Sequence, residues 1–472
     1  MKKLPFILLA FLLLFQSSAL AETKTYIKEY TYHASEDDSR NSSRVTAMRE
    51  VKRLLLEELG TYLESTTVVQ NFQLTKDQIT ALTAGIVKTE IVNEKWDGHS
   101  YWIKTKIVAD TDDVIKSIDK LRQDLDKSRE LEEVKKRSDS ILEENKRLRE
   151  ELKVAKDDAK LVIQQRYNTS IKELAATEWV VSGLRKGGDG DFKSAREDFS
   201  KAIELDPKDP YAYYFRGMAC RLLGNNNQAI DDYSKAIELN PKYANAYCYR
   251  GDAYSGLGNN NQAIDDYSKA IELDPKHAMS YYFRGLAYGK RGKYNEAIDD
   301  YSKAIELNPT YARAYYLRGN SYGKRGKYSE AIDDYSKAIE LDPTYANAYY
   351  FRGSAYNKRG KYGEAIDDYS KAIELDPKDK YAYFGRGSAY KGRGKYSEAI
   401  DDYSKDIELD PKDQYAYYYR ACVYSLLGRN KDAIRDLRKA IQIDTTIRNL
   451  AKRDTDYDNI RNTKEFKRLI GK

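Results

Sequence analysis

The sequence predicts a mostly α-helical solenoid, preceded by a coiled-coil helix and a small N-terminal α/β domain. Pro207, Pro241, Pro275, Pro309, Pro343, Pro377 and Pro411 fall 34 residues apart, and around most of them the string A-I-D-D-Y-S-K-A-I-E-L-[DN]-P recurs almost verbatim. A fixed period of that length marks stacked helix pairs. Between Leu131 and Val162, apolar and small residues recur in alternating steps of three and four, the heptad pattern of a coiled coil. Ahead of both, residues 22–111 mix strand and helix patterns without any repeat.

The chain opens with Lys2 and Lys3, then an apolar run from Leu4 to Phe15, then Ala19-Leu20-Ala21. That order is the signature of a secretory signal peptide over residues 1–21, cleaved near Ala21, and the run is short for a membrane span. The expected location is therefore periplasmic or secreted, with membrane association only indirect. A net charge of +6 and a mean hydropathy of −0.78 describe a soluble surface. That charge is too mild to imply nucleic acid. Cys220, Cys248 and Cys422 are an odd count, which excludes a complete disulfide framework. All three fall at helical positions and read as small buried hydrophobes.

In residues 22–111, Tyr26 to His33 alternates as a strand. Val45, Met48, Val51, Leu55, Leu59 and Tyr62 form one helical stripe. Thr75 with Gln78 makes a capping box for a second helix, and Asp97-Gly98 marks a hairpin between two further strands. The strand, the helix carrying Arg44, Ala47 and Val51, and Thr66-Thr67-Val68-Val69 together resemble the N-terminal domain of flagellar assembly protein T. The resemblance implies an envelope location and no particular activity.

Residues 112–175 are expected to form the coiled-coil helix. Leu131, Val134, Ser138, Ile141, Asn145, Leu148, Leu152, Ala155, Ala159 and Val162 make its seam, and a lone Asn at the core position of residue 145 would fix a parallel homodimer.

Eight repeats occupy residues 176–447, starting at Ala176, Pro210, Ala244, Ala278, Ala312, Ala346, Lys380 and Gln414. In the unit from Ala312, Gly319, Ala331 and Ala338 are small enough for close helix approach, and Tyr322 and Tyr335 fill space between neighbours. Gly326 supplies a positive φ, and Pro343 ends the second helix. Tyr315, Gly319, Tyr322, Ala331, Tyr335, Ala338 and Pro343 together resemble the tetratricopeptide repeat. Asp406 stands where other units have Ala, a charge at a crowded crossing that predicts local distortion or a weak point. Residues 448–472, with Phe466, Leu469 and Ile470, read as a capping helix.

The resemblance implies a superhelix whose concave groove is lined by the first helix of each unit and binds a protein or peptide. The lining positions are the second, fifth, ninth and twelfth of a unit. At the fifth stand Tyr214, Cys248, Tyr282, Tyr316, Tyr350, Phe384 and Tyr418, with Asn245, Arg313, Asn320 and Asn347 around them. Aromatic anchors beside adaptable amides suit an extended peptide. The Lys and Asn that chaperone-binding members use to clamp a carboxylate are absent from the fifth position and, except for Asn320, from the ninth.

Two further patterns stand out. The turn string G-K-R-G-K-Y puts Lys290, Lys324, Arg325, Lys358 and Arg359 on one edge, where an anionic envelope polymer or lipid is the alternative ligand. Helix-dipole complementarity accounts for the same cations without a ligand. In seven units, from Arg216 to Arg420, an Arg such as Arg318 replaces the usual apolar residue, and facing Asp residues predict an ion-pair ladder. Asp454, Asp456, Asp458, Asn462 and Glu465 have calcium-loop spacing, but Asn459 sits where Gly is required, so no metal is expected. Phosphate loops, nucleophile elbows and zinc motifs are missing, and near-identical repeats do not supply a unique catalytic constellation. The reading is a non-enzymatic scaffold without a cofactor.

Overall fold

The computed structural model describes residues 23–36, 38–64, 74, 76–84, 86–123 and 125–471. The expected leader, the Thr66–Val69 segment and the Thr75 cap lie outside the described residues. Two compact units divide the chain, the first running to Lys242 and the second from Tyr243 to Lys472.

The first unit opens with an antiparallel sheet of β1 (Thr23–His33), β2 (Thr89–Trp96) and β3 (Ser100–Asp110), in the order β1-β3-β2. Asp97 accepts hydrogen bonds from the His99 and Ser100 amides at 2.8 and 2.6 Å, and Gly98 takes φ +95°, which turns β2 into β3. Helices α1 (Arg40–Glu64) and α2 (Lys76–Ala84) build one core with the sheet, joining Tyr26 and Ile107 to Leu55, Leu59 and Leu82.

Next come α3 (Thr111–Gln123), α4 (Leu125–Val154) and α5 (Asp157–Gly188). Here the structure departs from the expected coiled-coil helix over residues 112–175. The helix breaks at Ala155–Lys156 and α5 folds back against α4. From Leu131 to Leu152 the seam is therefore covered within the chain, while Ala159 and Val162 at its end are exposed. Leu148 and Leu152 pack on Tyr167 and Ile171, Ile141 packs on Leu174, and the Ser138 and Thr177 hydroxyls meet at 3.3 Å. Asn145 is buried in this hairpin, its amide without a hydrogen-bond partner among the described residues. A partner helix joined by a short turn outcompetes a second molecule by effective concentration, so the buried stretch of the seam is occupied within the chain. Helix α5 also runs unbroken past residue 176, so the first repeat shares its first helix with the hairpin.

The repeats follow as helix pairs: α6 (Phe192–Leu205) closes the first, then α7 (Pro210–Leu222) with α8 (Asn226–Leu239). In the second unit come α9 (Ala244–Gly256), α10 (Asn260–Leu273), α11 (Ala278–Lys290), α12 (Tyr294–Leu307), α13 (Ala312–Lys324) and α14 (Tyr328–Leu341). The array continues with α15 (Ala346–Lys358), α16 (Tyr362–Leu375), α17 (Lys380–Gly392), α18 (Tyr396–Leu409), α19 (Gln414–Leu426) and α20 (Asn430–Ile443).

The pair α13–α14 shows why the sequence folds this way. A Cβ at Gly319 would lie 2.8 Å from the Tyr335 ring, so only Gly permits this crossing. Ala331 and Ala338 are fully buried at the same contact. Gly326 takes φ +75° between the helices, where other residues are strained. Arg318 donates to both Asp334 oxygens, from Nε at 2.9 Å and Nη2 at 2.7 Å, and to Ser302 Oγ of the preceding unit at 3.0 Å. The same clamp joins Arg284 to Asp300 and Ser268, Arg352 to Asp368 and Ser336, and Arg420 to Asp436 and Ser404. Neighbouring units also share aromatic contacts, such as Tyr267 on Phe283 with ring centroids 5.9 Å apart.

Two expectations are corrected at the C-terminal end. Residues 448–472 form two short helices, α21 (Ile447–Arg453) and α22 (Lys464–Leu469), joined through a 3-10 turn, rather than one capping helix. Their Ile447, Tyr457, Phe466 and Ile470 close the core of α19 and α20. Asp406 does not distort α18, which is continuous. Its carboxylate is instead buried, 1 % exposed, with neither oxygen hydrogen-bonded among the described residues. Burial, then the nearby Asp413 charge, pushes it up to about 7, with Asp410 and Asp379 adding to this and Lys380 opposing it.

Two predictions follow from these contacts. Arg318→Leu strands the buried Asp334 carboxylate and is expected to cost about 3 kcal/mol, while Arg318→Leu with Asp334→Ala recovers most of it. Equal losses in urea unfolding would show that the pair acts only by packing. For Asp406, the unfolded chain gives up its proton near pH 4 while the folded chain keeps it to about 7, so its contribution to stability falls as pH rises through that window. Asp406→Ala is therefore expected to stabilise the protein by up to about 4 kcal/mol near pH 8, and by clearly less near pH 4. The urea midpoints of the two proteins at both pH values check this.

Candidate partner-binding face

Positions on the first helix of each unit decide what the array presents. The fifth position is largely used up by the stack. Tyr214 is buried against Phe215 and Tyr233 in the first unit. In the second unit Tyr282 is buried under Tyr311, with ring centroids 4.7 Å apart. Tyr418 is sealed by the C-terminal cap, donating its hydroxyl to Asp454 at 2.5 Å, and Cys248 is buried. Tyr316, Tyr350 and Phe384 remain half-buried. Tyr316 is flanked by Tyr345 at 4.8 Å and Phe351 at 5.8 Å between centroids.

Amides at the predicted lining divide in the same way. Asn245 is buried, Asn320 accepts from the Tyr335 hydroxyl at 2.8 Å, and Asn347 is exposed. Arg313 is exposed as well, beside the Tyr282, Tyr316 and Tyr345 rings. The sequence reading passed over Tyr381 and Tyr415, which are 58 % and 45 % exposed. They occupy the second position of the last two units, as Arg313 and Asn347 do in the two before. In the earlier units the same position is half-buried at Tyr211 and Met279 and buried at Asn245.

Burial pushes the Tyr316 and Tyr350 hydroxyls above the ordinary phenol range, and Tyr345 up to about 12. At neutral pH these groups are uncharged donors. With Arg313, Asn347 and the exposed Tyr381 and Tyr415, the second unit offers aromatic surface, an unpaired guanidinium and an amide, which suits recognition of a polypeptide.

The turn cations Lys290, Lys324, Arg325, Lys358 and Arg359 are all exposed and lie at the ends of first helices, away from the second positions at their starts. The calcium-like spacing near the C-terminus serves the cap. Asp454 accepts from Tyr418 and from the amide of Asp456, Asp456 pairs with Lys391, and Asp458 pairs with Arg461 at 2.7 Å. Although one ligand atom each from Cys422, Asp454 and Asp456 lies within 4.8 Å of the others, both carboxylates already have partners. Burial also pushes the Cys422 thiol well up, and Cys220 to about 11, which leaves both thiols protonated and inert. Among the described residues no helix is long and apolar enough to cross a membrane.

Comparison with known proteins matches tetratricopeptide repeats to residues 244–277, 312–345 and 381–413. Further models of the repeat match 217–258, 288–326 and 353–393, then 267–299 and 335–367, and at the ends 188–209 and 415–446. No curated protein matched the chain. Among solved structures, MamA is 34 % identical over 34 % of this chain and 95 % of its own, with a TM-score of 0.34. YrrB, described as a TPR protein with an unusual peptide-binding site, is 27 % identical over 39 % of this chain and 95 % of its own, with a TM-score of 0.37. The C-terminal part of a TPR repeat-containing protein from Cytophaga hutchinsonii is 22 % identical over 50 % of this chain and 96 % of its own, with a TM-score of 0.42. The chain belongs to the tetratricopeptide-repeat family, whose members generally mediate protein–protein interactions.

Proposed function

We propose that this chain is an exported scaffold of the bacterial cell envelope that recruits a protein partner on the first-helix face of its repeats. It acts by binding rather than catalysis, and its N-terminal α/β domain serves as a docking module. Residues 1–21 support export by their signal-peptide pattern.

One internal comparison carries the reading of the face. The second position of successive units is Tyr211, Asn245, Met279, Arg313, Asn347, Tyr381 and Tyr415. Exposure alone does not explain this variety. On the second helices Asp333 and Glu340 are also exposed, yet units two to seven repeat Asp and Glu at those places without change. In units five to eight, where this position is exposed, the copies carry Arg, Asn, Tyr and Tyr, whereas the exposed Asp333 and Glu340 positions of the second helices stay uniform from unit two to unit seven. A binding face that reads an irregular polypeptide needs that diversity, whereas a solvated outer face does not. The alternative, an anionic envelope polymer or lipid at the turn cations, concerns a different edge and does not compete for this face.

Photo-crosslinking in cells tests the reading. A photoreactive residue at position 347 or 381 is expected to capture the same protein, with no capture from position 337 on the second helix, and Arg313→Glu is expected to weaken the yield. Capture from position 337 alone, or unrelated adducts from 347 and 381, would sink the assignment.

A further inference from the structure

Each turn between the helices of units four to six carries a Lys-Arg dyad: Lys290-Arg291, Lys324-Arg325 and Lys358-Arg359. A third cation follows each turn glycine, and this one is balanced. Lys293 pairs with Glu296 at 3.8 Å, Lys327 with Glu330 at 3.9 Å, and Lys361 with Glu364 at 3.6 Å. The dyads are not balanced. All six side chains are exposed and none makes an ion pair among the described residues, Lys290 touching only Ser255 Oγ at 3.2 Å.

Favourable interaction with the helix dipole is the competing account, and the other units argue against it. At the residue of Arg291, Arg325 and Arg359, the third unit has Leu257 and the eighth Leu427, 43 % and 44 % exposed. The backbone is the same in both cases. Leu257 has φ −88° and ψ 1°, and Leu427 has φ −82° and ψ −1°; Arg325 has φ −91° and ψ 2°. The turn therefore forms equally well without the cation. Two like charges side by side also repel one another, so the dyads are a cost to the isolated fold that a ligand would offset.

We propose that the turn edge of units four to six binds a linear, phosphate-bearing polyanion. The arginine of each dyad offers a planar fork for a phosphate and the lysine adds a point charge. A row, rather than a two-dimensional patch, favours a chain over a lipid surface. The dyads occupy one register position in successive units, and the first helices α11, α13 and α15 pack side by side. Helices in such contact lie about 8–10 Å apart, so the dyads recur at roughly that interval along one edge. Three weak sites on one polymer bind cooperatively by effective concentration, which a single short anion does not exploit. The inference does not depend on the protein-binding face, since the two sets of residues do not overlap.

The test uses the full chain with long-chain polyphosphate, tripolyphosphate, and vesicles of equal parts phosphatidylglycerol and phosphatidylcholine, each titrated across a salt series. The long polymer is expected to bind more tightly per phosphate than tripolyphosphate, with affinity falling steeply as salt rises. Replacing four cations together (K324Q, R325Q, K358Q, R359Q) is expected to weaken polymer binding at least about tenfold and flatten the salt dependence. Gly256→Lys with Leu257→Arg adds a dyad to the third unit and is expected to strengthen it. Both variants alter exposed residues and are expected to keep the melting temperature of the parent. Equal polymer binding by parent and four-site variant, equal per-phosphate affinity for polymer and tripolyphosphate, or binding to vesicles alone would each overturn the proposal.

Discussion

Arg318 holds three elements at once. It reaches Asp334 in the second helix of its own unit, Ser302 in the second helix of the unit before, and the face of Tyr315 on its own helix, 5.6 Å from the ring centroid. An apolar side chain at that position would fill the volume but fix no angle. The guanidinium has a planar geometry that is satisfied only when the two second helices stand in one relation to the first. Burying a charge pair is expensive, and a well-packed apolar replacement is often as stable. What the pair adds in this array is uniqueness. Most of the remaining core is Ala, Ile and Tyr repeated in every unit, and such a core tolerates small rotations and slides. A clamp with directional bonds does not. Hydrogen bonds to Asp300, against the pull of burial, hold the Arg284 guanidinium above its ordinary range, so the cation persists at any pH where the fold exists.

Close approach of the helices follows from the same constraint. The clamp draws the first and second helices together at the point where Gly319 faces Tyr335 and Ala331 and Ala338 leave no gap. The tyrosine then projects toward the next unit, where an aromatic residue receives it, as Phe351 receives Tyr335 with centroids 6.3 Å apart. The unit from Ala312 thus meets its successor through one polar and one aromatic contact, and stability propagates between such neighbours. The array ends where this pattern stops. Leu437 replaces the tyrosine in the last pair and packs with Ile447, Tyr457 and Phe466 of the C-terminal helices.

The period, the glycine turns and the Arg–Asp ladder were legible in the sequence because each rests on local geometry that one unit contains and the others repeat. The fate of the heptad seam was not. A spacing of three and four residues states that a helix has an apolar stripe without stating what covers it. Here the cover is the helix that follows, and the break at Ala155–Lys156 carries neither Gly nor Pro to announce it. The start of α5 at the acid pair Asp157-Asp158 was the one available marker, since acids favour a helix beginning. Exposure along the first-helix face was not legible for a related reason. Whether a fifth-position tyrosine reaches solvent depends on Tyr311 or Tyr345 from the loop that follows its unit and on the next unit's aromatic, so burial there is a property of the stack. Reading one unit at a time cannot show it.

The seventh unit breaks three of these rules together. Lys380 replaces the Ala that opens five of the other units, Gly385 replaces the aromatic or leucine that receives the preceding tyrosine, and Asp406 replaces the buried Ala. The changes are physically linked. With no side chain at Gly385, the Tyr369 ring occupies the space, and a Cβ there would lie 2.5 Å from it. Lys380 bridges Asp410 at 2.6 Å and Asp413 at 2.9 Å, and its ammonium is the one cation among the groups that act on Asp406. A lysine and an aspartate that depart from the repeat in the same unit and meet at the same junction are a compensating pair, in which the cation limits the cost of the buried acid without cancelling it. Tyr381 adjoins Lys380 in sequence, and Tyr415 lies two residues beyond Asp413. The most exposed tyrosines of the first-helix face therefore start from the junction where the repeat rules are relaxed. Departures from a self-consistent design are expected at functional or strained places, and in this chain the junction holding the buried Asp406 adjoins the face proposed to bind a partner.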